Sequence, residues 1–390
     1  MSIIVTYDVS YREDATPDEI VRMLRGGYAN FAVDRSPEHL PEVTYTRKIG
    51  AVPPTLAMTV TAEPDHLMLT HRGAAGLMML LGGTNFRDPK ILRVVLTDVY
   101  LREDPGGFPG PLLGRSLLSS PADGGPWLSV PLPKSLPRDA FADVCSALIQ
   151  GGVRVVNDLR IDLTAVEQLE RAEIIAGEID KLPQQRAALF FNGTAKLSYA
   201  LDLAGLIETR LRAVSPNLVV GMRICPVSVG YSVLELLRQR TIPIFAYTVA
   251  PIPSGDIAWT TSAYASLMNI FGADVVNIGL LSRTLFEKGT LLESILSLSR
   301  RRESGFPSLP ALTGGVTPEV AYDYGTTLDA PYLLHTMTPV FSGGLAAEAI
   351  RRRVEAILEA VSAGGERLEP DRLFAMRDPR VRSWQSLREA

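Results

Sequence analysis

Beyond residue 127 the chain repeats one pattern, a short apolar run followed by an amphipathic stretch of helical period. The runs are Leu128–Leu132, Val153–Asn157, Ala187–Phe191, Leu218–Arg223, Pro243–Tyr247, Val275–Ile278, Pro310–Thr313 and Tyr332–His335. Helical stretches follow them, among them Pro137–Ile149, Ala165–Ile179 and Ala346–Val361. Runs without polar alternation suit strands buried on both faces, and strand–helix alternation calls for parallel pairing. Eight such units in about 260 residues match the size of a TIM barrel. A doubly wound open sheet is the alternative, and the absence of a GxGxxG loop favours the barrel.

The first hundred residues follow a different rule. Ile3–Val9 reads as a strand, and Pro17–Leu24 as a helix that Thr16 and Pro17 start. Further strands are expected at Val43–Gly50, Thr55–Thr61, His66–His71 and Ile91–Tyr100, with a small helix at Gly73–Leu81. This is the pattern of an α+β, ferredoxin-like domain with an antiparallel sheet covered on one face. Between Asp104 and Pro137, eight prolines and six glycines break regular structure and mark a connection. The expected class is therefore α/β: an N-terminal domain over 1–126, a TIM barrel over 127–363 and a charged extension over 364–390.

Composition narrows the partners. Hydrophobic residues at 46% and charged ones at 21% describe a soluble chain with a sizeable core. A net charge of −4 without any lysine-rich run argues against nucleic acid. The longest apolar run, Ala74–Leu81, is far too short to span a bilayer. Two distant cysteines, Cys145 and Cys225, suit a reducing compartment. The expectation is a cytoplasmic protein with no membrane partner, and the sequence offers no cofactor motif.

Barrel enzymes place their chemistry at the C-terminal strand ends. Those positions hold Lys134, Asn157, Asp158, Asn192, Thr194, Lys196, Arg223, Tyr247, Asn277, Thr313 and His335. Asp158 is the lone carboxylate among them, so neither a carboxylate pair nor an all-oxygen Mg2+ site is supported. Arg160 either grips a substrate carboxylate or pairs with Asp158 or Asp162 at the start of a loop. Lys196 is either a base in a water-poor mouth or a solvent-facing lysine in a first helical turn. Tyr247 either transfers a proton or buries its ring with a satisfied hydroxyl. Thr313, Gly314 and Gly315 precede Thr317 and Pro318, a helix cap and first position; the turn either binds an anion or simply starts the helix.

Several blocks, in order, resemble the RuBisCO superfamily. Gly151-Gly152-Val153-Arg154-Val155-Val156-Asn157-Asp158-Leu159-Arg160 is similar to the family's Gly-Gly-x-Asp-Phe-x-Lys-Asp-Asp-Glu strand. Phe108-Pro109-Gly110-Pro111-Leu112-Leu113-Gly114 resembles its Phe-x-Gly-Pro-x-x-Gly approach to the barrel. Phe191-Asn192-Gly193-Thr194-Ala195 resembles Leu-Asn-Ala-Thr-Ala at the third barrel strand, and Thr313-Gly314-Gly315 the Ser-Gly-Gly after the seventh. The resemblance spans about Ile3 to Val361.

The departures define the functional expectation. The resemblance implies a carbamylated lysine and two carboxylates holding Mg2+, yet those positions read Asn157, Leu159 and Arg160, and no lysine lies between Lys134 and Lys181. The family's strand-end histidines correspond to Tyr247 and Asn277, and its mobile-loop Gly-Lys-Leu to Arg283-Thr284-Leu285. In the N-terminal domain its glutamate is lost at Gly26-Gly27-Tyr28, while an asparagine is kept as Asn85. These changes exclude carboxylation and metal-dependent enolase chemistry, whose enediolate needs a cation. The expectation is a divergent RuBisCO-like homodimer, without metal or cofactor, moving a proton beside the carbonyl of a small anionic compound. Lys196, Asp158, Tyr247 and Arg160 are the candidate catalytic residues. Lys134, Asn157, Asn192, Thr194, Arg223, Asn277, Thr313, Gly314, Gly315, His335 and Asn85 are the candidate binding residues. The alternative is a binding or assembly protein that kept the scaffold and lost the chemistry.

Overall fold

The computed structural model describes residues 2–29, 36, 39–67, 69–82, 88–102, 108, 110–118, 126–182, 185–247, 257–280, 294–295, 298, 307–328 and 331–366. Asn85, Arg283-Thr284-Leu285 and most of the C-terminal extension lie outside the described residues.

The N-terminal part runs β1 (Ile3–Tyr11), α1 (Pro17–Tyr28), β2 (Glu42–Arg47), β3 (Thr55–Ala62), α2 (Leu69–Gly82) and β4 (Ile91–Leu101). Helix α1 begins as its sequence dictates. Thr16 accepts from the Glu19 amide, the Glu19 carboxylate reaches back to the Thr16 amide, and Pro17 takes the first position. The expected strand at His66–His71 does not form, because this segment is a turn running into α2. Leu67 and Leu69 both donate to the Pro64 carbonyl. The apolar run there is too short for its period to separate strand from helix entry.

The barrel part runs β5 (Trp127–Leu132), α3 (Phe141–Gly151), β6 (Val153–Asp158), α4 (Ala165–Ile179), β7 (Ala187–Asn192), α5 (Leu197–Thr209) and β8 (Leu218–Ile224). It continues with α6 (Pro226–Val229), α7 (Ser232–Gln239), β9 (Ile244–Ala246), β10 (Ile257–Trp259), α8 (Thr261–Ile270) and β11 (Val275–Leu280). Then come β12 (Leu309–Thr313), α9 (Pro318–Thr327), β13 (Leu333–His335), α10 (Thr338–Phe341) and α11 (Ala347–Gly365). All eight expected barrel strands are present. They close in the order β11-β12-β13-β5-β6-β7-β8-β9. Every residue of β5 and β7 is buried, as strands walled on both faces require. Helix α3 stops at Gly151 because Gly152 turns left-handed (φ 109°), a conformation costly to any residue with a Cβ.

The second sheet has the order β10-β4-β1-β3-β2. It was expected to be antiparallel throughout. Its first four sequential strands are, but β10 adds to β4 in parallel, so the sheet is mixed. The chain packs as two compact units. One gathers Met1–Gly114 with Ile224–Ile278 and Glu287–Ser308, the other Arg115–Arg223 with Gly279–Phe286 and Leu309–Ala390. Among the described residues, no helix is long and apolar enough to cross a membrane.

Candidate functional site

Strand register sorts the strand-end residues by face. Successive side chains of a strand point to opposite faces, and residues in parallel register share a face. Asp158 forms a buried ion pair with Arg171 of α4, so it projects from β6 into the helix layer. Asn157 therefore points the other way, into the barrel. Its register partners are Pro131 and Phe190, and Phe190 aligns with Gly221. Two residues further along, and so on the same face, Asn192 aligns with Arg223. On the same inward face, Thr313 aligns with His335 and His335 with Ser129. Six polar side chains from one compact unit thus face the interior: Ser129, Asn157, Asn192, Arg223, Thr313 and His335.

Three of them form a chain. Asn157 Nδ2 donates to Ser129 Oγ at 3.0 Å, and Ser129 Oγ lies 2.8 Å from His335 Nδ1. Burial, helped by the positive charge of Arg223, pushes the His335 imidazole down to about 3. The ring is thus neutral near pH 7 and carries a single proton. The Asn157 Oδ1 is buried and accepts no hydrogen bond, although Asn157 is 0% exposed. A buried acceptor without a donor costs about 1–3 kcal/mol, so this atom is an exception that calls for a reason.

The remaining candidates sit elsewhere. Asn192 spends its side chain on the loop: Nδ2 donates to the Leu159 carbonyl at 3.0 Å and Oδ1 accepts from the Thr194 amide at 3.0 Å. Arg160 grips Asp162 through two hydrogen bonds of 2.9 and 2.7 Å, which push the Asp162 carboxyl down to about 2. Of the two readings of Arg160, the structure has the loop-starting ion pair. Lys134 is exposed in the turn after β5, and Lys196 is exposed at the cap position of α5. Tyr247 and Asn277 are buried in the other compact unit, one residue beyond the register pair Ala246–Val276. After Thr313, Gly314 and Gly315 turn the chain, Val316 and Thr317 donate to their carbonyls, and Thr317 caps α9. Asn85 lies outside the described residues.

Ser129 and Arg171 were not among the expected residues. A signal for Ser129 was present, since it is the one polar residue inside Leu128–Leu132. Arg171 sits mid-helix, where a charge ordinarily faces solvent, and nothing local marks it as the partner of Asp158.

The divalent cation of the RuBisCO family does not fit this chemistry. The three corresponding positions offer a buried amide already bonded to Ser129, a leucine and a guanidinium. Oxygen-rich anionic donors are what Mg2+ requires, and the adjacent carboxylate, Asp158, is held by Arg171 on the helix side. Among the described residues, no group of three His, Cys, Asp or Glu side chains gathers to hold a metal.

No protein-family model and no curated protein matches the chain. Solved structures do. An octameric RuBisCO from Pyrococcus horikoshii OT3, in complex with a sulfate ion, is similar with a TM-score of 0.78 at 16% identity, covering 100% of this chain and 93% of that one. A RuBisCO-like protein (MtnW) from Alicyclobacillus acidocaldarius gives 0.74 at 19%, covering 98% and 97%. A RuBisCO-like protein from Burkholderia fungorum gives 0.75 at 15%, covering 98% of each chain. Likeness at such low identity speaks for the fold, and with the closed parallel barrel and separate mixed sheet it makes this chain a divergent RuBisCO-like one in its fold.

Proposed function

We propose that this RuBisCO-like chain does not carboxylate but binds a small anionic carbonyl compound inside the barrel and moves a proton beside the carbonyl without a metal. The observation that carries this reading is the inward polar set of Ser129, Asn157, Arg223 and His335, kept on barrel strands whose other residues are mostly apolar and buried. A scaffold without a ligand gains stability by filling such positions with apolar side chains, because buried polar groups cost free energy. Of the three residues that could have plugged the mouth, Met337 is exposed and Phe341 half-buried, while Tyr247 is buried.

Arg223 supplies the fixed positive charge. A guanidinium has five N–H donors, so it can hold a carboxylate or an oxyanion while keeping structural bonds. The neutral His335 beside it adds no competing cation. In the proposed step Lys196, acting as the base, takes a proton from the carbon next to the carbonyl. The electron pair moves to the carbonyl oxygen, where Arg223 offsets its charge. Thr313 to Gly315 and the α9 N-terminus are the proposed anion cradle. The chain is proposed to act as a homodimer, the state named for an archaeal RuBisCO from Hyperthermus butylicus of this fold (TM-score 0.72, 15% identity).

The exposure of Lys196 favours a second reading, in which the barrel binds the same class of compound without turning it over. One set of experiments separates them. Melting curves with sugar phosphates, keto acids and hydroxy acids, with and without Mg2+ and bicarbonate, should show a shift of a few degrees for one anionic class that ignores the metal. A ligand at a hundred times its Kd adds about 2.7 kcal/mol. With that ligand, proton exchange at its α-carbon should be lost in Lys196→Ala while the melting shift persists. Exchange that survives in Lys196→Ala removes the lysine from the mechanism, and a wild type that binds without any exchange leaves the binding reading.

A further inference from the structure

Resting on the reading of the barrel interior as a site for a small anionic carbonyl compound, the chain Asn157–Ser129–His335 says more about that compound. Asn157 has two hydrogen-bonding ends. Its amide nitrogen donates to Ser129 Oγ at 3.0 Å, which fixes the orientation of the side chain and leaves Oδ1 as the end without a donor. Ser129 in turn has one proton, and His335 Nδ1 lies 2.8 Å from its oxygen. The arrangement that uses each of these protons runs Asn157 N–H to Ser129, then Ser129 O–H to His335 Nδ1, with the single imidazole proton on Nε2. Asn157 therefore presents an acceptor, and Arg223, two strands over and two residues further along the register on the same inward face, presents a cation.

These two groups ask for different things. The cation suits a carboxylate, phosphate or carbonyl oxygen. The acceptor is repelled by all of those and suits a group carrying its own proton. We infer that the ligand bears a hydroxyl beside its anionic carbonyl end, and that Asn157 Oδ1 is the specificity-determining acceptor for that hydroxyl. A compound lacking it leaves Oδ1 buried and without a donor, and a site built to bond a substrate hydroxyl rejects such analogues far more strongly than an apolar pocket rejects a misfit.

The test uses 3-hydroxypyruvate and pyruvate, two 2-oxo acids that differ only in that hydroxyl, with binding measured by calorimetry on the full chain. The expected result is a preference for 3-hydroxypyruvate of about tenfold or more. Asn157→Leu should erase the preference by weakening 3-hydroxypyruvate while leaving pyruvate affinity nearly unchanged. Equal binding of the two acids to the wild type would overturn the inference while leaving the parent reading intact, since water would then be serving Oδ1. A preference for pyruvate would mean that Asn157 presents its N–H to the interior, and would overturn it equally. Binding of neither acid would overturn the inference for this class of ligand, while the parent reading would still stand or fall on the melting curves with sugar phosphates and hydroxy acids. The comparison on the wild type is decisive even if Asn157→Leu does not fold.

Discussion

His335 is a histidine that refuses a proton. In the unfolded chain an imidazole takes one up near 6.5; in the folded chain burial, aided by Arg223, postpones that to about 3. Between these values the unfolded state binds a proton that the folded state does not, so the contribution is intact above 6.5 and is lost as pH falls. The slope is up to about 1.4 kcal/mol per pH unit. Melting temperature should therefore decline from pH 6.5 to pH 5, a range in which most carboxylates are still ionised. In His335→Gln, which keeps a polar side chain but cannot titrate, the decline should be clearly shallower. Identical slopes in the two proteins would mean that His335 is hydrated and titrates freely. The same residue shows what sequence makes legible. Its type and its place at a strand end were readable, but its protonation depends on neighbours brought in from β5 and β8. Asp158 and Arg160 illustrate the reverse: both were readable as charges at the mouth, and both are tied up, by Arg171 on the helix side and by Asp162 in the loop.

Elements were legible wherever one force dominated. The eight barrel strands were readable because burial on both faces writes a largely apolar run without polar alternation. The α1 start was readable because its Thr-Pro pair announces an N-terminus. The three-residue β10 was not foreseen, since Ile257–Trp259 follows Pro253-Ser254-Gly255-Asp256 and lacks the apolar flanks that mark the equally short β9 and β13. Helix contacts are likewise silent in sequence, and the glycines of α9 and α11 give a test. A Cβ added to Gly325 would lie 2.2 Å from the Val361 carbonyl oxygen, and one added to Gly364 2.3 Å from that of Tyr322. Both obstacles are backbone, which cannot rotate aside. Gly325→Ala should therefore destabilise by about 1–3 kcal/mol, the usual result of overpacking, despite alanine's better helix propensity. Gly177 in α4 is the control, since its added Cβ meets nothing within 4 Å. Gly177→Ala should stabilise by about 0.5–1 kcal/mol. Urea unfolding of the two variants should move the midpoints in opposite directions; a shared direction would mean that the α9–α11 contact gives way around an added methyl group.

At the scale of the molecule, chain order and packing part ways. The N-terminal sheet takes its last strand from beyond β9, and the helix after that strand packs against the same sheet. Thr260 N donates to the Leu96 carbonyl at 2.9 Å and its hydroxyl to the Thr97 carbonyl at 2.8 Å, while Ser266 reaches Asp98 at 2.7 Å across 168 residues of sequence. Every residue of α8 from Ser262 to Ile270 is buried, as expected of a helix with no solvent face. The sequence boundary at 126/127 would cut between β4 and these partners. A fragment ending at 126 would leave part of β4 without its cover, where Val94, Leu96 and Val99 are now buried. At about 1.5–3 kcal/mol per apolar side chain, losing that cover is comparable with the about 5–15 kcal/mol that holds a typical domain together. Fragments 1–126 and 127–390 expressed separately should therefore each lack a cooperative melt, and co-expression should restore one. A sharp melt for 1–126 alone would mean that β1 to β4 with α1 and α2 form a self-sufficient core, and that β10 and α8 are additions to a domain already stable without them.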